Sequence, residues 1–170
     1  MTSSKVWQAA ASSEVILERA LMLKNIRAFF DGKGVIEVET PLLSRYRTTD
    51  PHLDSLSSRF REQTCYLNTS PEYAMKRLLA SSEQAIYQIC KAFRDDELGV
   101  NHNPEFTLLE WYQPGYDEQQ LMTELAELVS TVFADNKIKF VYKTYQQVFE
   151  EVFALNPHQV STADCYRAAT

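Results

Sequence analysis

The stretch from Phe93 to Tyr112, FRDDELGVNHNPEFTLLEWY, limits the possible folds more than any other part of the chain. Two apolar, strand-like runs, 85–93 and 106–112, flank the eleven residues from Asp95 to Glu105, which are nearly all polar. Parallel strands need a crossover of roughly a dozen or more residues, usually a helix, so two strands joined by this loop alone run antiparallel. A tight hairpin needs only about two to five loop residues, and a longer ordered loop inside a compact domain is usually one that works.

Helices surround this pair. From Glu14 to Asp31, apolar residues recur at Ile16, Ala20, Leu23 and Phe30, with Val15, Met22 and Phe29 beside them, which is an amphipathic helix with a wide buried stripe. Asp31-Gly32-Lys33-Gly34 ends it, since glycine accepts the left-handed conformation of helix ends. Val35 to Thr40 reads as a strand closed by Pro41, which has no amide donor. Residues 44–64 are polar and carry no clear period. Ser70-Pro71-Glu72 predicts a helix start, with a serine cap, proline at the first helical position and an acid in the first turn. Asp117 with Gln120, and Thr144 with Gln147, resemble capping boxes. The first precedes a stripe of Leu121, Leu125, Leu128 and Val132; the second precedes Val148, Phe149, Val152 and Phe153. Ile138 to Tyr142 reads as a strand, and the pattern fades beyond Asn156-Pro157. The fold class is therefore α+β, with an antiparallel sheet at the centre. Residues 1–13 form an arm and 14–170 a single domain.

Bulk composition removes several function classes. Hydrophobic content of 45% with 24% charge is that of a globular chain, so wholesale disorder is excluded. A net charge of -6 argues against a broad nucleic-acid face, though a small basic pocket for a phosphate remains compatible with it. Cys65, Cys90 and Cys165 make neither metal-ligand spacing nor a disulfide framework, and MTSSKVWQAAASSE carries no long apolar run. Both point to a cytoplasmic protein with no membrane partner.

Alternation along the strands puts Phe106, Leu108, Glu110 and Tyr112 on one face, and Ile86, Gln88, Cys90, Ala92 and Arg94 on one face of the neighbour. Two readings are open. One is a surface ion pair beside ordinary core residues. The other is a pocket in which Arg94 forks onto a phosphate, Phe106 stacks on a nucleobase, and Glu110 with Tyr112 holds an ammonium group.

With those residues in view, GVIEVETPLLS resembles motif 1 of class II aminoacyl-tRNA synthetases, and FRDDELGVNHNPEFTLLEWY resembles their motif 2. The form HNPEFTLLEWY is similar to the lysyl branch. TSPEYAMKRLLA is closer to the stand-alone members of that branch that modify elongation factor P. The helix at residue 14 also leaves no place before it for an anticodon-binding OB domain.

The resemblance implies activation of (R)-β-lysine or lysine by ATP, with Mg²⁺, to an adenylate. The acyl group then passes to a lysine of elongation factor P, and no tRNA is expected. It assigns Arg94 to the α-phosphate and Phe106 to the adenine, with Asp95, Asp96 and Asn103 placing ATP. It assigns Ser70, Pro71, Glu72 and Tyr112 to the amino-acid substrate, with Glu110 beside its amino group. The substrate carboxylate itself attacks, so the site acts by positioning and electrostatics. Motif 1 implies a homodimer through the helix from Glu14 to Asp31 and the strand up to Pro41.

Three departures accompany the resemblance. The glycine-rich motif 3, with a second phosphate-binding arginine, has no counterpart, since Gly115 is the last glycine. Arg94-Asp95-Asp96 stands where the family has Arg-Asn-Glu. Val100 and Asn101 stand where relatives carry arginine. Weak activity of this chain alone is the expectation. Two alternatives stay open: a catalytic fragment of a lysyl-tRNA synthetase, or a non-catalytic ATP-binding and dimerisation module.

Overall fold

The computed structural model describes residues 9–95, 99–133 and 138–169, which fall in two compact units, Met1–Ala134 and Asp135–Thr170. In the first unit, helix α1 (Ser13–Gly32) starts where the extended Ser12 side chain accepts the Val15 N–H at 3.3 Å. It ends where the Val35 N–H reaches back to the Phe30 carbonyl at 3.0 Å and Gly34 takes φ +70°, a conformation that side chains disfavour. Helix α2 spans Glu72–Ser82 and α3 spans Glu118–Phe133. The Asp117–Gln120 box forms as expected: Asp117 N–H donates to Gln120 Oε1 at 2.9 Å, and Gln120 N–H to Asp117 Oδ1 at 2.8 Å.

A three-stranded sheet has the order β1 (Ile36–Glu37), β5 (Ile86–Phe93), β6 (Glu105–Tyr112). The β5–β6 pair is antiparallel, in register from Ile86 opposite Tyr112 to Phe93 opposite Glu105, as the loop requires. β1 joins β5 in parallel, so the sheet is mixed. The strand expected over Val35–Thr40 shrinks to two residues with one further bond, Val38 N–H to the Tyr87 carbonyl at 2.8 Å. Pro41 lacks a donor and turns the chain away.

It turns into a second, antiparallel sheet of order β2 (Leu43–Ser44), β4 (Gln63–Leu67), β3 (Ser57–Phe60). No sequence period announced this sheet. All four residues of β3 are exposed, and in β4 only Cys65 is buried. The two-residue turn holds Arg61 at φ +56° where glycine or asparagine would normally advertise a hairpin.

The core gathers Ile26, Phe30, Val35, Tyr87 and Leu128, with the Phe30 ring stacked on Tyr87 at 4.5 Å and tilted to Trp111 at 5.8 Å. Both helix stripes read from the sequence hold in part: Phe30 and Leu128 are buried and Met22, Phe29 and Val132 pack against the core, while the first turns of each stripe stand exposed. In α1 the buried residues are Ile26 and Phe30, while Val15 and Ile16 stand exposed. In α3 Leu121 and Leu125 are exposed and Glu124 is buried instead, accepting Trp111 Nε1–H at 3.0 Å and Gln113 Nε2–H at 2.8 Å. Two such donors, with Lys33 Nζ at 3.6 Å, offset the cost of burying a carboxylate and draw that face inward.

In the second unit, α4 (Tyr145–Phe153) begins with the expected Thr144–Gln147 capping box. The strand expected at Ile138–Tyr142 is absent. Among the described residues no strand pairs with it, and alternating β-branched and aromatic residues make a strand only when a ladder partner exists. A further helix, α5 (Thr162–Ala169), follows where the pattern had faded, and the Ser161–Asp164 pair that starts it is a legible cap signal.

Candidate functional site

The sheet β1-β5-β6 has two chemically different faces. Odd-numbered Tyr87, Ile89, Leu109 and Trp111 pack on the α1–α3 core. Even-numbered residues oppose one another in the register: Gln88 faces Glu110, Cys90 faces Leu108, and Ala92 faces Phe106. The face therefore gathers the residues that alternation had assigned to it. At its open end the Arg94 guanidinium lies over the Phe106 ring, 5.0 Å from the centroid, and Arg94 Nε is 3.5 Å from the Thr69 carbonyl. The Arg94 N–H donates to the Pro104 carbonyl at 3.0 Å, carrying the pairing one step into the loop.

At the other end, Tyr112 donates its hydroxyl to Glu110 at 2.6 Å. Burial pushes the half-buried Glu110 carboxyl above its ordinary range; the Tyr112 hydrogen bond opposes this, the nearby Glu72 charge adds to it, and Lys76 opposes it. Burial, and then Glu110, hold the Tyr112 phenol well above its usual value. A desolvated carboxylate with a second acid beside it strongly favours the arrival of a cation. Lys76 Nζ already donates to Glu72 at 2.6 Å one helical turn away, and that pair is exposed.

The other expected residues are less united. Pro71 is buried and Ser70 half-buried, and both line a separate cavity with Glu72. Ser70 does not cap α2: Pro71 itself occupies the cap position, and no side chain bonds the first turn. Proline at the cap leaves serine one residue too early for the expected contact. Asp95 sits exposed, its N–H bound to the Asp54 carbonyl at 2.9 Å. Asn103 is exposed beyond the tight Gly99–His102 bridge, and Asp96 lies outside the described residues.

Two supporting residues had no role assigned from sequence. Gln88 is only 2% exposed and accepts the Thr40 hydroxyl at 3.0 Å, fixing β1's exit against the site face. Asn68 joins the two sheets: its carbonyl accepts the Phe93 N–H at 2.9 Å and its N–H donates to the Leu42 carbonyl at 2.9 Å. Cys90 is half-buried on the same face; burial and then Glu110 raise its thiol, with an Asn68 hydrogen bond opposing them. No cluster of three metal-ligating side chains exists among the described residues.

The family model described as tRNA synthetases class II (D, K and N) matches residues 5–161. The chain belongs to this family. Among curated class II relatives, a protein of Pseudoalteromonas translucida named elongation factor P–(R)-β-lysine ligase is 47% identical over 161 residues, covering 91% of this chain and 49% of that protein. A protein of the same name from Haemophilus ducreyi is 42% identical over 169 residues, covering 96% of this chain and 51% of that protein. The chain thus spans about half the length of the curated relatives it matches. Asparaginyl-tRNA synthetase from Pyrococcus horikoshii, solved with asparaginyl-adenylate, superposes with a TM-score of 0.65 at 19% identity over 72% of this chain and 28% of that one. That likeness establishes a class II synthetase fold. Among the described residues no helix is long and apolar enough to cross a membrane.

Proposed function

We propose that this chain is part of an ATP-dependent ligase that joins (R)-β-lysine, or lysine, to AMP and passes the acyl group to a lysine of elongation factor P. The names of the relatives support the substrate and acceptor. The observation that carries the chemistry is the Arg94 guanidinium 5.0 Å over the Phe106 ring, on the sheet face shared with Glu110 and Tyr112. A planar cation beside an aromatic face suits a nucleotide, one reading the phosphate and the other stacking on the base.

In this reading Arg94 binds the α-phosphate and stabilises charge that develops as the substrate carboxylate attacks phosphorus. The bond from phosphorus to the bridging oxygen breaks, and pyrophosphate leaves with the electron pair. Phe106 stacks on adenine, while Asp95, Asp96 and Asn103 position the nucleotide. Glu110 takes an amino group of the substrate together with Glu72; Tyr112, Ser70 and Pro71 shape the rest of that subsite. Mg²⁺ would be held by phosphate oxygens with one or two carboxylates, as magnesium commonly is, and would offset the charge of the phosphates. The exposed Val15, Ile16, Leu17 and Leu21 on α1 support a homodimer through that helix.

Val100 and Asn101, standing where the resemblance expects arginine, favour slow turnover, and they also favour a second reading in which the chain binds ATP without turning it over. Calorimetric titration with ATP and with β-lysine, followed by pyrophosphate exchange, tests both. Arg94→Ala is expected to weaken ATP binding roughly tenfold to a hundredfold, the usual worth of a charged hydrogen bond, and to leave amino-acid binding in place. ATP binding that survives both Arg94→Ala and Phe106→Ala overturns the assignment. Acyl transfer to tRNA in preference to elongation factor P overturns the acceptor.

A further inference from the structure

Tyr112 closes the strand ladder. It pairs with Ile86 at the terminal step of the β5–β6 register. Beyond it Pro114 has no amide donor, and Gly115 turns the chain at φ +85°. A strand end opens at far lower cost than a strand centre. Yet the Tyr112 hydroxyl meets Glu110 at 2.6 Å, a contact that a frayed end would lose. The ladder alone does not hold it.

The residues on either side of Tyr112 both turn towards α3 and end on one carboxylate. Trp111 Nε1–H donates to Glu124 Oε2 at 3.0 Å, and Gln113 Nε2–H donates to Glu124 Oε1 at 2.8 Å. Glu124 is only 2% exposed. Each donor has its own oxygen, so a roll of the strand about Tyr112 breaks one bond or the other. An amide in place of the carboxylate serves only one of them, since it has a single acceptor oxygen and turns its NH₂ group to the second donor. Lys33 reaches from α1, with Nζ 3.6 Å from Glu124 Oε1 and 2.6 Å from Glu127, and balances the charge. Packing alone is served as well or better by apolar side chains. What a carboxylate adds here is two aimed acceptors.

We propose that Glu124 is a positioning residue: through Trp111 and Gln113 it holds the end of β6 so that the Tyr112 hydroxyl stays on Glu110. It touches no ligand itself. That the pair so held receives an amino group rests on the ligase reading; the clamp on Tyr112 does not.

The ring carbon that bears the Tyr112 hydroxyl, followed by NMR from pH 7 to pH 11 in the full chain, tests the clamp without any ligand. The titratable groups around this phenol are Glu110 on its own strand and Glu72 from α2, with Lys76 bonded to Glu72 and Glu83 lining a cavity with Tyr112. Burial, and then Glu110, keep the parent phenol protonated across that range. Glu124→Gln is expected to bring its titration into the range, because a loosened strand end admits water and takes the hydroxyl off Glu110. Gln113→Ala keeps the carboxylate, removes one arm and is expected to shift the titration less. Leu128→Ala, one turn further along α3 at a residue 4% exposed, weakens the same helix without touching the clamp. It should leave the Tyr112 signal as in the parent.

Calorimetry reads the consequence for ligands. Lysine affinity is expected to fall about tenfold in Glu124→Gln, the worth of one hydrogen bond to a charged group, with ATP affinity kept within about twofold. Arg94 and Phe106 lie at the far end of the strand pair, beyond the reach of the clamp. A parent that binds no lysine overturns the ligase reading, and the Tyr112 titration still decides the clamp. A Tyr112 signal unchanged in both Glu124→Gln and Gln113→Ala, or moved as far by Leu128→Ala, overturns the proposal.

Discussion

The two faces of one strand pair obey different rules although they are woven from the same eight-residue strands. On the odd face, Tyr87 and Trp111 meet Phe30 ring to ring, and shape decides what fits. On the even face, the neighbours are a guanidinium, a carboxylate, a phenol and an amide, and charge decides. The lesson is that position along a strand sorts residues by role before any ligand is considered. Slipping β6 by one residue would carry Glu110 into the Phe30 core and Trp111 out onto the polar face, so one register alone keeps the two faces sorted.

The sharpest break of this contrast is at Phe30, which is fully buried. Phe30→Ala is expected to cost about 3–5 kcal/mol in chemical denaturation, since the cavity it leaves has walls on both helices and the sheet. A loss under about 1 kcal/mol would mean that the odd face is not the stabilising one. A smaller effect belongs to Tyr87→Phe. Its hydroxyl donates to Glu37 at 2.9 Å, and burial, then Glu37, push the phenol up to about 12. Losing that bond should cost about 1 kcal/mol while the ring stack with Phe30 persists. The proton stays on Tyr87 throughout the neutral range, so the cost should be flat from pH 6 to pH 9.

The smallest effect sharpens the contrast by changing sign. Glu110 has its folded-state pKa raised, chiefly by burial, so it stabilises the fold while protonated, and that stability is lost as pH rises through the folded pKa. Glu110→Gln should therefore leave the neutral-pH protein as stable as the parent or slightly more so, and remove part of the loss seen on going from acid to neutral pH. Binding of an amino-group ligand should fall at the same time. Destabilisation by Glu110→Gln at neutral pH would place Glu110 among the structural residues.

Much of this was legible in the chain itself. The antiparallel pairing, the facing of Arg94 and Phe106, and the caps at Asp117 and Thr144 follow from parity and local hydrogen bonding, and all are local in sequence. What was hidden depends on distant partners. Ile138 to Tyr142 has strand chemistry and no ladder. Glu124 owes its burial to Trp111 and Gln113, which reach it from β6 and its exit. The β3–β4 hairpin turns through Arg61 and Glu62 and so lacks the glycine that would have marked it. Of the expected site, Arg94, Phe106, Glu110 and Tyr112 were found on the strand face because alternation places them. Ser70 and Pro71 came by resemblance alone, and the cavity they line had no sequence signature.

Asn68 rivets the two sheets to each other. Through its main chain it is bonded to Leu42 at the edge of the small sheet and to Phe93 at the end of the large one, and its side-chain Nδ2 donates to the Lys91 carbonyl at 3.3 Å. The next residue, Thr69, offers its carbonyl to Arg94. Any tilt of the small sheet is thereby levered into the aim of the guanidinium, so that the small sheet helps set how Arg94 lies over Phe106.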